Sequence, residues 1–274
     1  MNSKIFNTDY ITSKSNSTIV KIAKLLNKKG RKESQLFTLD GVKLFIEAYN
    51  FSADIECIVL KEDLCLDKET IEKIKLLQNT GIKVYCVNES VFSKLTEESA
   101  PQGIITVCKF LKNHQINNFA QTNKQEKIMV FESVRDPGNV GTILRNAAAF
   151  GINRLIFTSD CADIYSQKVI RSSMGAIFKL KIDIVDNLPN ILGELKKQGK
   201  RVISTTLKDN SLKLGECLIN ENDVFVIGNE GHGISTEVIA ISDATLFIPM
   251  CENTESLNAS IAAAIIMWEM SKMQ

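Results

Sequence analysis

Short apolar runs alternate with helix-length amphipathic segments along this chain, and they do so in two separate series. In the first, the strand-like runs SQLFTL, DIECIVL, IKVYCV and GIITVC are separated by helical patterns near 41–50, 67–78 and 89–95. In the second, strand candidates at 127–131, 154–158, 179–184, 201–205, 223–227 and 245–248 alternate with helix candidates at 139–150, 187–198, 235–241 and 257–271. Strands joined through helices cannot pair as tight hairpins, so the second series predicts a mostly parallel α/β sheet. Residues 111–126, LKNHQINNFAQTNKQE, are rich in Asn and Gln and lack periodicity, which marks a linker. The expected division is therefore a small α/β domain over 1–110, a linker over 111–126 and a second domain over 127–274. A length of 274 residues suits two small cores.

Composition narrows the setting. Hydrophobic residues at 44% and charged residues at 24% are those of an ordinary globular protein. The longest apolar run near the end, Ile261 to Trp268, falls far short of the roughly 18 residues a membrane span needs. The opening MNSKIFNTDY has no apolar signal core, so a cytoplasmic address is expected. Seven scattered cysteines without a Cys-x-x-Cys pair, and only His114 and His232, offer no metal-ligand spacing. Reduced thiols and no metal are the expectation.

A net charge of +1 conceals a basic arm. Residues 1–35 hold eight Lys and Arg against Asp9 and Glu33. Within it, STIVKIAKLLNKK (17–29) places Ile19, Ile22, Ala23 and Leu26 at helical spacing, with Ser17 as the expected N-cap and Gly30 as the expected stop. Lys14, Lys21, Lys24, Lys28 and Arg31 have two readings, an RNA phosphate contact or a solvated helix face, and charge alone does not separate them.

Three segments of the second series spend residues in ways a core does not require. DPGNVGTILRNAAAFG (136–151) runs from a Pro-Gly turn into a helix, with Asn139 at the expected N-cap and Arg145 in an otherwise apolar stretch. FVIGNEGHGIS (225–235) ends a strand in a loop where Gly228, Gly231 and Gly233 surround Glu230. FIPMCENTESLNAS (247–260) leads from a strand through a polar loop to an Ala-rich helix, with Ser256 and Asn258 where caps belong. Taken singly, each admits a structural reading: a snorkelling arginine, a self-bonded turn, a capped helix.

Together the segments resemble the SpoU (TrmH) family within the knotted SPOUT methyltransferase superfamily. The resemblance rests on N-x-G-x-x-x-R at Asn139, Gly141 and Arg145, G-N-E-G-x-G-I at 228–234, I-P-M…S-L-N at 248–258, and SSMGA at 172–176. It reaches the first domain through ITSKSN…IVKIAKLLNKKGRKES…LDG and APQGI at 100–104, which resemble the family's small substrate-binding domain, a ribosomal-protein-like RNA-binding fold. Asp40 and Ala259 stand where many members have Glu and Val.

The resemblance implies a C-terminal parallel sheet with a trefoil knot, a homodimer, and S-adenosylmethionine-dependent methylation of a ribose 2′-hydroxyl in RNA, with large-subunit ribosomal RNA favoured. It implies that Gly228, Ile248 and Leu257 line the cofactor largely through backbone groups, with Thr205 and Thr206 as neighbours. Arg145, contributed across the dimer interface, would orient the ribose and phosphate and assist proton loss. Asn139, Glu230, Ser256 and Asn258 would hold the site in register, and the helix beginning after Leu257 would pack at the interface through Ala262 to Ala264 and Met267. Two alternatives remain at this point. A catalytically silent RNA-binding or ribosome-assembly protein would not need the intact polar set. A Rossmann dinucleotide enzyme would need G-x-G-x-x-G after its first strand, where ESVRDPGNVG stands instead.

Overall fold

Each series of strand and helix signals builds its own sheet. The computed structural model describes residues 6, 8–116, 122, 126–206, 210–251 and 256–272. It divides into two units, Met1–Leu111 with Asp163–Phe178, and Lys112–Ala162 with Lys179–Gln274.

In the first unit, β1 (Asp9–Ile11), β2 (Leu36–Asp40), β3 (Ile55–Lys61), β4 (Lys83–Val87) and β5 (Ile104–Lys109) form one sheet in the order β1-β4-β3-β5-β2. β1, β4 and β3 run parallel, whereas β5 is antiparallel to both β3 and β2. Ile19, Ile22 and Leu25 of the basic arm are buried against Val59, Val87 and Phe92. The arm differs from its expected single helix. A helix over Ser17–Ala23 is capped by Asn16, whose side chain accepts from Thr18 N, so Ser17 is not the cap. A 3-10 turn over Lys24–Leu26 then tightens the spacing and brings Leu25 inward, with Leu26 only half-buried. After the extended Asn27, a second helix runs over Lys28–Ser34 with Gly30 inside it. Gly30 is therefore no stop signal. A Cβ there would lie 2.1 Å from the Lys24 carbonyl oxygen, so the glycine permits the tight approach of the two turns.

Residues 163–178 belong to this unit although they interrupt the second series in sequence. The Tyr165 ring stacks on Phe110 at 4.0 Å and lies tilted against Phe37 at 4.7 Å. Its hydroxyl accepts from the Leu111 amide at 2.9 Å. Gln167, 7% exposed, donates to Thr38 Oγ1 at 3.0 Å and accepts from Glu97 N at 3.0 Å. SSMGA closes the helix Gln167–Ser173, with Met174 left-handed at φ 52°. A Cβ on the following Gly175 would come 2.7 Å from Glu47 Cγ. That motif is explained by packing.

The second unit holds β6 (His114–Ile116), β7 (Ile128–Phe131), β8 (Arg154–Thr158), β9 (Lys181–Val185), β10 (Arg201–Thr205), β11 (Leu212–Lys213), β12 (Asp223–Ile227) and β13 (Ala244–Phe247). Its order is β11-β13-β10-β12-β7-β8-β9-β6, and every pairing is parallel. All residues of β7 and β12 are buried, as in a sheet covered on both faces. The expected linker contributes β6 at the sheet edge; 117–121 and 123–125 lie outside the described residues. From β7 the chain first builds outward through β8 and β9, and the later strands fill the other side. β7 and β12 therefore flank a topological switch point, where ligands of open α/β sheets bind beyond the carboxyl ends of the strands. The amino ends are closed instead by a buried ionic cluster in which Arg154 bonds both Asp183 and Glu126. Among the described residues, no helix is long and apolar enough to cross a membrane.

Candidate active site

The three motif segments converge at that switch point. The helix Pro137–Ala149 follows β7, and Pro137 at its first position fixes the cap one residue earlier. Asp136, not Asn139, is the N-cap: its carboxylate accepts from Asn139 N at 2.8 Å. This correction explains how the Asn139 side chain is free to reach outward. Its amide donates to Glu230 Oε1 at 2.7 Å, and its oxygen accepts from the Asn258 amide at 2.9 Å.

Asn258 works from both ends of one side chain. Its oxygen caps the helix Ala259–Ser271, accepting from Ser260 N at 2.9 Å and Ile261 N at 3.3 Å, while its NH2 group binds Asn139. The capping and site readings of Asn258 are therefore both correct. The chain Glu230–Asn139–Asn258 joins the helix after β7 to the loops after β12 and β13 by side-chain hydrogen bonds alone.

The Glu230 loop is shaped by its neighbours. Asn229 and Gly233 exchange backbone hydrogen bonds at 2.9 and 3.0 Å. The Asn229 side chain accepts from Gly231 N and His232 N and donates to Ser133 O at 2.7 Å. A Cβ on Gly228 would meet the Gly233 carbonyl carbon at 2.3 Å, so only glycine allows the loop to fold back here. Glu132 adds a second clasp by accepting from Ser235 N at 2.9 Å. Residue-by-residue reading of the sequence missed Asn229, Asp136 and Glu132. The Asp-Pro pair was the available signal for the cap, and Asn229 lay inside the motif already singled out.

The expected cofactor residues share one edge. Ser204 is in register with Val226 and Thr205 with Leu246, which brings Thr206, Gly228 and Ile248 to the carboxyl ends of three adjacent strands. Thr205 Oγ1 is used on Val226 O, and Thr206 N on Leu246 O. Gly228 is buried, and its backbone groups and those of Ile248 find no hydrogen-bond partner among the described residues. Half-buried Leu257 borders the loop return. Backbone groups without a partner among the described residues, beside apolar side chains, suit a ligand with a flat apolar body and a polar edge, which an adenosine moiety has.

Two expected residues stand apart. Arg145 is exposed and makes no side-chain hydrogen bond or ion pair among the described residues. It lies six residues beyond Asn139, which places it roughly 9 Å further along the helix and on a different side. Ser256 is exposed and likewise has no side-chain partner among the described residues. In the first unit, Lys14, Lys21, Lys24 and Lys28 are exposed, but Arg31 is not. At 3% exposure its guanidinium binds Leu25 O, Leu26 O and Asp163. Arg31 is therefore withdrawn as an RNA contact, because its donors are spent inside the fold. The terminal helix also corrects the expected interface set. Ala263 and Met267 are buried within the chain, whereas Ile261 and Trp268, each 52% exposed, face outward. Among the described residues, no group of His, Cys, Asp and Glu has the arrangement of a metal site.

Residues 126–268 match the SpoU rRNA Methylase family, and residues 16–106 match the MRM3-like substrate binding domain. The chain is 30% identical over 260 residues to the 23S rRNA (guanosine(2553)-2′-O)-methyltransferase RlmP of Bacillus subtilis, covering 95% of this chain and 98% of that protein. Among solved structures, an AdoMet-bound rRNA methyltransferase from Sinorhizobium meliloti superposes with a TM-score of 0.85 at 26% identity, covering 97% of this chain and 98% of the other. The SpoU methyltransferase AviRb of Streptomyces viridochromogenes shares the fold at a TM-score of 0.80 and 22% identity, over 94% of this chain and 98% of its own. With a family match across more than half its length and a relative alike from end to end, the chain belongs to the SpoU rRNA methylase family.

Proposed function

We propose that this protein is an S-adenosylmethionine-dependent methyltransferase acting on a ribose 2′-hydroxyl of ribosomal RNA, and that its target is a guanosine of the large-subunit RNA. The observation that carries the reading is the Glu230–Asn139–Asn258 chain, which locks the three motif segments together beside the ends of β10, β12 and β13.

Gly228, Ile248 and Leu257 hold the cofactor in this reading, with Thr205 and Thr206 stiffening the wall behind them. When bound, S-adenosylmethionine supplies an electrophilic methyl carbon on a sulfonium. Displacement at that carbon demands an in-line hydroxyl, so the protein's task is orientation and proton control. Asn139, Glu230 and Asn258 keep the loops in register, and exposed Ser256, two residues before Asn258 in sequence, offers its hydroxyl to the RNA. Arg145 holds ribose and phosphate in its planar fork. A guanidinium keeps its own proton, so Arg145 assists by hydrogen-bonding the oxygen as charge develops there, while the hydroxyl proton leaves to a neighbouring RNA phosphate or to solvent.

Arg145 serves the site of a second copy in this proposal. Its separation from Asn139 supports that arrangement, as does the outward groove of about 280 Å³ between the two helices. Ile261, Ala264, Ile265 and Trp268 line the groove with Thr142 and Asn146, giving an apolar face of the kind a helix presents to a partner. The trefoil knot of the C-terminal part and a cytoplasmic location complete the reading. The first unit selects RNA, with Lys14, Lys21, Lys24 and Lys28 on phosphates. Mapping 2′-O-methyl groups in rRNA from wild-type and deletion strains tests it: one large-subunit site should disappear with the gene. An unchanged map, with no binding of S-adenosylhomocysteine by calorimetry, removes the proposal.

A further inference from the structure

The turn between β7 and the helix Pro137–Ala149 is held more firmly than its length requires. Ser133 adopts a left-handed conformation at φ 56°, which non-glycine residues avoid. All its polar groups are gripped: its amide donates to Thr158 Oγ1 at 2.8 Å, its hydroxyl to Asp160 at 2.6 Å, and its carbonyl accepts from Asn229 at 2.7 Å. Val134 is fully buried, with its amide on Cys161 Sγ and its carbonyl taking the Ala162 amide. Such over-determined strain gathers where a structure must present something in a fixed direction.

What this turn presents is Arg135. With Val134 turned inward and Asp136 engaged as the helix cap, the Arg135 side chain is directed outward and remains 69% exposed. A single donor, Nη2, reaches Asp160 at 3.2 Å. An arginine has five donors in a planar fork, so most of them point to solvent beside the switch point. Asp160 is built to hold this guanidinium. Burial alone would raise its pKa, but the Ser133 and Thr158 hydroxyls with Arg135 outweigh it and keep the carboxyl below the usual range. A lone surface ion pair contributes little to stability, and this one needs no strained serine beneath it if stability is its purpose. Through Asn229 the same turn is bonded to the loop that carries Glu230.

We propose that Arg135, aimed by the Asp160–Ser133–Asn229 cluster, binds a backbone phosphate of the RNA strand entering the active site, and so positions the target ribose. The inference rests on the RNA methyltransferase reading and adds a positioning residue to it. An arginine fork held on one side by a carboxylate and open on the other matches phosphate geometry.

The test uses the full-length protein and an unmodified 23S rRNA transcript, following methyl transfer across a salt series. Arg135→Ala should raise KM for the transcript about tenfold, an effect worth one good contact, with kcat changed less than twofold. The slope of log KM against log salt should become shallower by about 0.7–0.9, as expected for one lost phosphate. Asp160→Asn keeps the positive charge but releases the arginine. It should raise KM by a smaller factor and leave the slope as in the wild type. Arg135→Lys should also keep the slope while recovering only part of KM. S-adenosylhomocysteine affinity should stay within about twofold throughout, which separates a contact from a damaged fold. Unchanged KM and slope in Arg135→Ala, beside an active wild type, overturn this inference and leave the function standing. A wild type that neither binds nor methylates the transcript overturns the function and this inference with it.

Discussion

Arg31 distinguishes a basic arm that contacts RNA from one whose charges hold the fold together. Its side chain is 4% exposed, and Nε and Nη2 bond Asp163 Oδ2 at 2.9 and 2.7 Å while Nη1 bonds Leu25 O and Leu26 O at 2.6 and 2.8 Å. Arg31→Ala removes four donated bonds and leaves the Asp163 carboxylate with the Tyr165 amide at 3.0 Å. Breaking a buried ion pair costs about 3–5 kcal/mol, and the 15% exposure of Asp163 argues for the lower end, about 3 kcal/mol. Arg31→Lys should recover only part of this, because one ammonium cannot bond the carboxylate and two carbonyls in the fork's geometry. Urea unfolding followed by circular dichroism should show the earlier midpoint. Hydrogen exchange should locate the loss in 17–34 and 163–178, the segments the guanidinium joins. RNA affinity measured below the transition should keep its wild-type salt slope. A full midpoint with a flattened slope would refute the reasoning and return Arg31 to the RNA surface.

Three further outcomes follow from the same geometry. Neutralising Lys14, Lys21, Lys24 and Lys28 together should weaken binding of an rRNA transcript and reduce its salt slope by up to about 0.9 per lost phosphate contact; a slope equal to wild type returns these lysines to solvation. Arg145→Ala and Arg145→Lys should both abolish methyl transfer with S-adenosylhomocysteine affinity intact by calorimetry, and a fully active Arg145→Ala would make this arginine a helix-edge residue. Thr106 Oγ1 is buried in β5 without a hydrogen-bond partner, so Thr106→Val, which replaces the hydroxyl by a methyl of similar size, should stabilise the protein by about 1 kcal/mol in urea unfolding.

How far the fold was legible depended on burial. The central strands β7, β8, β10 and β12 are apolar runs because both sheet faces are covered, and such runs declare themselves in sequence. The missed strands β1, β6 and β11 are two or three residues long and sit at sheet edges, where no side chain alternation can accumulate. Residues 163–178 posed a different problem. Val169, Ile170, Ile177 and Phe178 are ordinary core residues, and nothing local states that the core they enter is the first unit's. For the same reason, the first unit's core takes in more than residues 1–110: Phe37, Thr38, Leu95 and Phe110 are partners of Tyr165 and Gln167.

At the site, the limit was set by the double use of single side chains. Asn258 sits where helix capping alone accounts for an asparagine, and its oxygen does cap. A cap uses one end of the amide; the other end then points across the loop and can be spent on Asn139. Asn139 shows the converse. As an N-cap it would have turned its oxygen back on its own helix, and the bond to Glu230 would have lacked a bridge to Asn258. Asp136 prevents this by taking the capping role one residue before Pro137. The chemistry-bearing residue is thus released by its neighbour, and substituting Asp136 should disturb the site through Asn139, whose backbone amide it caps and whose side chain holds Glu230 and Asn258.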